Sequence, residues 1–333
     1  MQGYEEELMS LYSLIRESVP RIRETDLLSL DHPHRPYPAE HRVRFSGWVR
    51  ALVFVAVLVG TLIIYSSVYA AVTGSFQMDN VWATLSSLVA SVVAYAVLTM
   101  VTEARIWPFE FSPPRALGLL KGMLLSFIMI SVCIGILAIA GCYTITGFNP
   151  NYSVWLDLLS LGVVAAVSEE IMFRGALFRL TEEGIGSWGA SAISALVFGF
   201  LHLRNPLGTI WGSVAIAIEA GILLAAVYVI TRSLWWCIGV HFAWNMTMGP
   251  IYGSVVSGSG TQNSWLTSHW SGPDILTGGS FGLEASIIPV SLLGVMGIAA
   301  LIYAQRKGLM IRPIWARKQA LEEVPDSAMS DEA

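Results

Sequence analysis

Leu158-Leu-Ser-Leu-Gly-Val-Val-Ala-Ala-Val-Ser-Glu-Glu-Ile-Met-Phe-Arg174 runs an almost wholly apolar stretch straight into two adjacent carboxylates. The apolar part, Leu158 to Val167, reads as the body of a membrane helix. An ionisable side chain at the bilayer centre costs about 2.5 to 3.5 kcal/mol even on the lenient insertion scale, so two side by side need a reason. Glu170 and Arg174 stand four residues apart with the acid first, the favourable order for a helical ion pair. Glu169 lies about 100° round the helix from Glu170 and is left free. Ser168 faces elsewhere and is not expected to act as a nucleophile. The bland alternative is a charged helix end that snorkels toward the cytoplasm.

The rest of the chain fits a membrane setting. Of 333 residues, 54% are apolar and 13% charged, and the mean hydropathy is +0.61. These values lie outside the balance of a soluble domain. Most charged residues fall before Ala51 or after Gln305. A net charge of −5 gives no basic footprint, so no nucleic-acid partner is expected. Cys133, Cys142 and Cys237 make no C-x-x-C pair, which excludes a disulfide framework or a zinc knuckle. The first apolar run begins only at Ala51, so no cleaved signal peptide is expected.

A hydrocarbon core of about 30 Å takes roughly 20 apolar residues per helix. Candidate spans lie near 50–72, 81–101, 116–140, 153–173, 188–203, 209–230, 234–249 and 286–304. The predicted fold is all-α, a polytopic transmembrane bundle of about eight helices. With the N-terminus inside, Arg204 is the one basic residue left outside, and both termini are expected to be cytoplasmic. Residues 1–50 form a polar arm, with Leu8, Leu11, Tyr12 and Ile15 on one face of a short amphipathic helix. Residues 51–305 form the membrane domain, and 306–333 a cytoplasmic tail.

Two further spans carry polar groups at helical spacing. Phe198-Gly-Phe-Leu-His202 puts an aromatic ring and an imidazole on one face, and His241-Phe-Ala-Trp-Asn245 does the same for an imidazole and a carboxamide. Singly, each reads as core or helix-helix glue. Jointly, a carboxylate, two imidazoles and an amide supply a base, an orienter and hydrogen-bond donors, which suffices for hydrolysis by an activated water. With a turn near Ile185, Glu169 and His202 stand at one level. The turn from Arg204 to Gly208 then falls at membrane depth, where backbone is tolerated only against protein or a water-filled cavity. Glu219, a lone acid in an apolar run, is expected to line the cavity or pair with Arg204. The Gly- and Ser-rich stretch 250–285 reads as a flexible cover over the bundle or a plain tether. His32, His34, His41 and His269 read as ordinary surface residues.

Glu169-Glu170-x-x-x-Arg174, Phe198-x-x-x-His202 and His241-x-x-x-Asn245, in this order on successive helices, resemble the motifs of the CPBP family, the CAAX proteases and bacteriocin-processing (Abi) enzymes. The resemblance covers about residues 105–305, including the Pro108-Phe-Glu-Phe-Ser-Pro-Pro-Arg115 approach to the third span and Thr231-Arg-Ser-Leu-Trp235. It implies an intramembrane endopeptidase. Glu169 with His202 would activate the water, His241 with Asn245 would form an oxyanion hole, and Glu170 and Arg174 would support them. Phe198, Glu219 and Arg204 are the candidate cavity residues. The resemblance also admits a divalent metal such as zinc, held by Glu169, His202 and His241, although no H-E-x-x-H is present; the metal-free water mechanism is the reading preferred. The implied partners are a membrane-associated peptide or protein substrate, lipidated in the CAAX case, and the bilayer itself, in a multi-pass protein of the plasma (cytoplasmic) membrane. The alternative from another class is a proton-coupled transporter using the same buried groups, or a non-catalytic scaffold.

Overall fold

The structure, a computed structural model, describes residues 21–23, 40–42, 46–78, 80–103, 105, 108–260 and 263–316. The amphipathic helix expected around Leu8 to Ile15 and the tail beyond 316 lie outside them. Two short strands, β1 (Arg21–Arg23) and β2 (Glu40–Arg42), pair antiparallel ahead of the helices.

The remainder is a helical bundle. Its helices are α1 (Gly47–Thr73), α2 (Asn80–Ala96, continued to Thr102), α3 (Leu117–Ile139), α4 (155–178, wound partly in wide π turns), α5 (Arg179–Leu201), α6 (210–231), α7 (Leu234–Met246) and α8 (Ile287–Arg306). Five are long and apolar enough to cross a membrane: α1, α2, α3, α6 and α8. Length and composition do not establish the other three as crossings. α4 carries Glu169, Glu170 and Arg174, α5 is bent at Gly186 (φ 73°), and α7 has 13 residues.

The bundle is inverted relative to a soluble protein. Leu52, Ile63, Ile64, Val68 and Val72 of α1 are exposed, while Arg50 at its start is buried. In lipid an exposed aliphatic side chain costs nothing, whereas an unpaired charge or amide is costly. Helices therefore associate through close backbone approach rather than by hiding hydrocarbon. The α3–α7 contact shows this. A Cβ on Gly122 would sit 2.5 Å from the Trp236 carbonyl oxygen, and one on Gly239 would sit 2.1 Å from that of Leu119. Those two glycines fix the register of α7, which carries His241 two residues on. The central helix is α6, enclosed along most of its length.

Charged residues gather at one end. Arg50 bonds Glu103 (2.8 Å) and Glu183, and Arg105 bridges Glu103 (2.6 Å) and Glu110 (2.9 Å). Arg179 reaches Glu103 (2.8 Å), and Arg232 holds Glu182 (2.5 Å) while also donating to the Leu309 carbonyl. Residues near 50, 103, 182, 232 and 309 thus share a face. The opposite end carries the hairpin partners β3 (Tyr143–Phe148) and β4 (Leu266–Trp270), paired antiparallel with a register shift between Ile145 and Gly147.

The stretch 250–285, expected as a flexible cover or tether, is instead hydrogen-bonded into the bundle through its described residues. Leu207 N–H donates to the Gly258 carbonyl (2.9 Å) and Gly258 N–H to that of Phe281 (2.9 Å). Asn205 Nδ2 donates to the Ser257 carbonyl (2.6 Å), and Trp211 Nε1 to that of Ala285 (2.7 Å). These bonds satisfy the turn after α5 with protein partners. The turn is largely exposed and its bonds run to protein, so no water-filled cavity is needed to explain it.

Two outcomes are expected. Gly239→Ala, which drives a methyl into the Leu119 carbonyl, lowers stability by about 1–3 kcal/mol, whereas Gly60→Ala, with nothing within 4 Å of its Cβ, does not. Thermal melts of the detergent-solubilised protein compare the two. In the charged end, burial pushes the Glu110 carboxyl up, but Arg105 and Arg179 hold it down at about 2 against an ordinary 4.5. A depressed carboxyl contributes stability that is present above pH 4.5 and lost as pH falls toward 2. Melting temperature should therefore drop over that window, and drop less steeply in Glu110→Gln.

Candidate active site

The site is built where α4, the end of α5 and α7 meet. Glu170 is fully buried. Its Oε1 accepts from Arg174 Nη1 (2.9 Å) one turn on, the helical pair read from the sequence. The same oxygen meets His241 Nδ1 at 2.9 Å. Arg174, itself fully buried, also donates through Nη2 to the Gly221 carbonyl of α6 (3.2 Å) and lies over the Phe198 ring at 4.9 Å from its centroid. One ion pair thus ties together α4, α6 and α7. Breaking such a pair strands a charge and costs about 3–5 kcal/mol, far more than an exposed pair.

With Nδ1 on Glu170, the other nitrogen of His241 is directed at Glu169, its Nε2 lying 3.8 Å from Glu169 Oε2. The Glu169 side chain keeps 26% of its exposure, the most of this group, while its Oε2 atom is buried without a hydrogen-bond partner. It is a carboxylate oxygen with its lone pairs unspent. The snorkelling alternative is overturned for Glu170, which turns inward to His241 rather than out to the cytoplasm.

His202 follows α5 in a short 3-10 turn. Its Nδ1 is 2.8 Å from the Phe198 carbonyl oxygen, so this nitrogen carries the proton and donates, leaving Nε2 as the free base. The Phe198 ring packs edge-on against His202 (4.9 Å), His241 (5.9 Å) and Phe173 (4.9 Å), spacing the two imidazoles. Asn245, one turn after His241, donates through Nδ2 to the Leu161 carbonyl (2.9 Å). That bond fixes the amide and leaves its second N–H available.

His202, His241 and Asn245 line one small cavity of about 10 Å³, close to the room that one water needs. Phe198, Ala220, Leu224, Trp244, Ser257 and Glu284 complete its wall. The second and third motifs thus share one cavity, while Glu169 and Glu170 do not line it and meet it through His241. Two expected cavity residues do not take part. Arg204 is exposed on the turn after α5, and Glu219 is fully buried beside Ala220 without lining the wall. The Glu219–Arg204 pair is absent, because burial and exposure separate them, and neither Glu219 oxygen has a hydrogen-bond partner.

The sequence reading missed Trp244, Ser257 and Glu284. Glu284 is buried, and its carboxylate accepts from Trp244 Nε1 (3.0 Å), Ser257 N–H (2.5 Å) and Ser257 Oγ (3.0 Å). An acid closing a glycine-rich stretch was the available signal.

Both imidazoles are oriented through Nδ1, the kind of outer bond that serves a water-binding and a metal-binding Nε2 alike. His241 Nδ1 is held by Glu170 and His202 Nδ1 by a backbone carbonyl. Among the described residues no three His, Cys, Asp or Glu side chains are disposed to hold one ion.

Residues 151–247 match the family described as type II CAAX prenyl endopeptidase Rce1-like. No curated protein matches the chain. The matched stretch contains Glu169, His202, His241 and Asn245, together with the Glu170–Arg174 pair, and the described helices give the polytopic setting that such a protease needs. Across residues 151–247 this integral membrane protein is similar to that CAAX-protease family, whose motifs its three motifs resemble.

Proposed function

We propose that the protein is an intramembrane endopeptidase that hydrolyses a peptide bond of a membrane-associated substrate by a water held between Glu169 and His202. The observation that carries this reading is the meeting of Glu169 and Glu170 with His241 inside the bundle, at 3.8 and 2.9 Å, beside a cavity that His202 and Asn245 also line. Buried acids do not converge on imidazoles in a membrane without a task.

In this reading His202 Nε2 accepts one O–H of the water and orients it. Glu169 Oε2 takes the other proton as the water oxygen bonds to the carbonyl carbon, and the carbonyl π electrons move onto oxygen. The oxyanion receives hydrogen bonds from the free N–H of Asn245 and from His241, whose Nδ1 is fixed by Glu170 and whose Nε2 carries a proton in the imidazolium form. Collapse breaks the C–N bond, and its electron pair leaves with nitrogen, which takes the proton from Glu169. The second water proton, released as the new acid ionises, passes to His202. No step runs through a metal. Glu170 and Arg174 position His241 and the end of α6 without touching substrate.

The family likeness supports two substrate classes. A CAAX-type substrate, lipidated near its C-terminus, would reach the site from the membrane, whereas bacteriocin-type processing would present an unlipidated peptide. Eight crossings with both termini on the cytoplasmic face of the plasma membrane fit the basic residues at the charged end.

The test uses the full chain in liposomes with paired peptides, one farnesylated on a C-terminal Cys-a-a-X and one not. Cleavage of either by the wild type, and a fall of at least about 100-fold in kcat for Glu169→Gln and His202→Ala, is the expected result. Activity that survives both substitutions removes the hydrolytic reading. Treatment with a chelator should leave the wild-type rate unchanged, and a rate that returns only with added zinc would replace the metal-free mechanism.

A further inference from the structure

We infer that Glu284 is a further positioning residue of this site, the anion set opposite His202 across the cavity. The inference rests on the hydrolytic reading, and deepens it with a residue outside the stretch that matches the family, 151–247.

Three features of the structure lead here. First, Glu284 and His202 line the same cavity of about 10 Å³, which has room for about one water. Second, the Glu284 carboxylate is held with unusual completeness for a loop residue. The Trp244 indole and the Ser257 hydroxyl both donate to Oε1, at 3.0 Å each, and the Ser257 amide donates to Oε2 at 2.5 Å. Every one of these partners is a donor, the environment of a carboxylate rather than of a neutral acid. Trp244 sits between His241 and Asn245 on α7, so the loop acid is tied to the helix that carries the proposed oxyanion donors. Third, the structure accepts backbone strain to put Ser257 there. Ser257 has φ 51°, one of two non-glycine residues with positive φ among the described residues. A serine in the left-handed region is worth a local cost only if its hydroxyl is used.

A carboxylate in a buried cavity needs a positive counterpart. His202 supplies it when it takes the second proton of the attacking water. Arg174 is committed to Glu170, and His241 faces Glu169 and Glu170. Glu284 thus acts through His202. It stabilises the imidazolium as that form appears, and it aims Nε2 into the cavity in the resting state.

The experiment uses the full chain and a peptide cleaved by the wild type, with kcat, KM and melting temperature measured for Glu284→Gln and Ser257→Gly. Glu284→Gln keeps the size of the side chain and removes its charge. We expect kcat to fall about tenfold or more with KM within about twofold, since the lost interaction belongs to the reacting state. Ser257→Gly suits the left-handed backbone while deleting the hydroxyl donor. Its melting temperature should hold or rise while kcat falls several-fold. A merely structural residue would move both in one direction. Unchanged kcat in both variants, a rise in KM alone, or losses of activity that track losses of stability overturn the proposal.

A measurement independent of turnover separates this inference from the hydrolytic reading. Melting temperatures of Glu284→Gln, His202→Gln and the double variant should not add, because the two side chains interact. Additive shifts overturn the pairing even if the enzyme cleaves its peptide. Non-additive shifts in a chain that cleaves nothing would leave the pair standing and remove the hydrolytic role.

Discussion

A carboxylate that has lost its water survives inside a bundle only where something else supplies the hydrogen bonds and the opposite charge, and Glu170 meets both needs through one oxygen. Arg174 neutralises it within its own helix, and His241 reaches it from α7. Because Arg174 also donates to the Gly221 carbonyl, the pair holds three helices at a fixed depth. The consequence for chemistry lies in what remains. His241 spends Nδ1 on Glu170, so its Nε2 faces Glu169, whose own Oε2 has no hydrogen-bond donor. Glu170 Oε2 is also without a hydrogen-bond partner, so what separates the two adjacent glutamates is that Glu170 Oε1 is paired with Arg174 and His241 while Glu169 Oε2 is left without a hydrogen bond.

Backbone contact makes that division possible. In lipid there is no hydrophobic gain from bringing two helices together, so close approach has to come from small residues. Gly122 and Gly239 let α3 and α7 touch at a distance no side chain would permit, and Gly199 and Gly221 do the same for α5 and α6, against Ser213 and Ala195. Each contact is close to a site residue: Gly239 to His241, Gly199 to His202, Gly221 to the carbonyl that Arg174 holds. Positions lost by a few tenths of an ångström at these crossings would be carried directly into the imidazoles.

Much of this was legible in the chain. Apolar runs bounded by basic residues announced a polytopic bundle, and the i,i+4 spacing of Glu170 with Arg174 and of His241 with Asn245 announced shared faces, because both signals are local and periodic. What local spacing could not carry was partnership across distance. Glu219 is a lone acid in an apolar helix and invites a nearby cation, yet Arg204 turns outward and the carboxyl stays buried. Glu284 closes a glycine-rich stretch that looks like a tether. Nothing in its neighbourhood says that Gly278 and Gly282, with φ of 84° and 105°, bend the chain back into the bundle. The same blindness made the turn at Arg204 to Gly208 look like an exposed backbone at membrane depth, when the partners that satisfy it are some fifty to seventy residues downstream.

That return of the chain also decides how the cavity connects to its surroundings. Ser257 and Glu284 stand in its wall, and the hydrogen bonds from Leu207 and Asn205 seal the loop over the end of α5. Ser257 and Glu284 thus close the cavity wall with residues that are themselves hydrogen-bonded to one another and, through Ser257, to the turn after α5. Glu169 and His202 are the partly exposed members of the acid and imidazole group, whereas Glu170 and His241 are buried. A hydrolase of the kind proposed would gain from such closure, which limits the water admitted to the bundle.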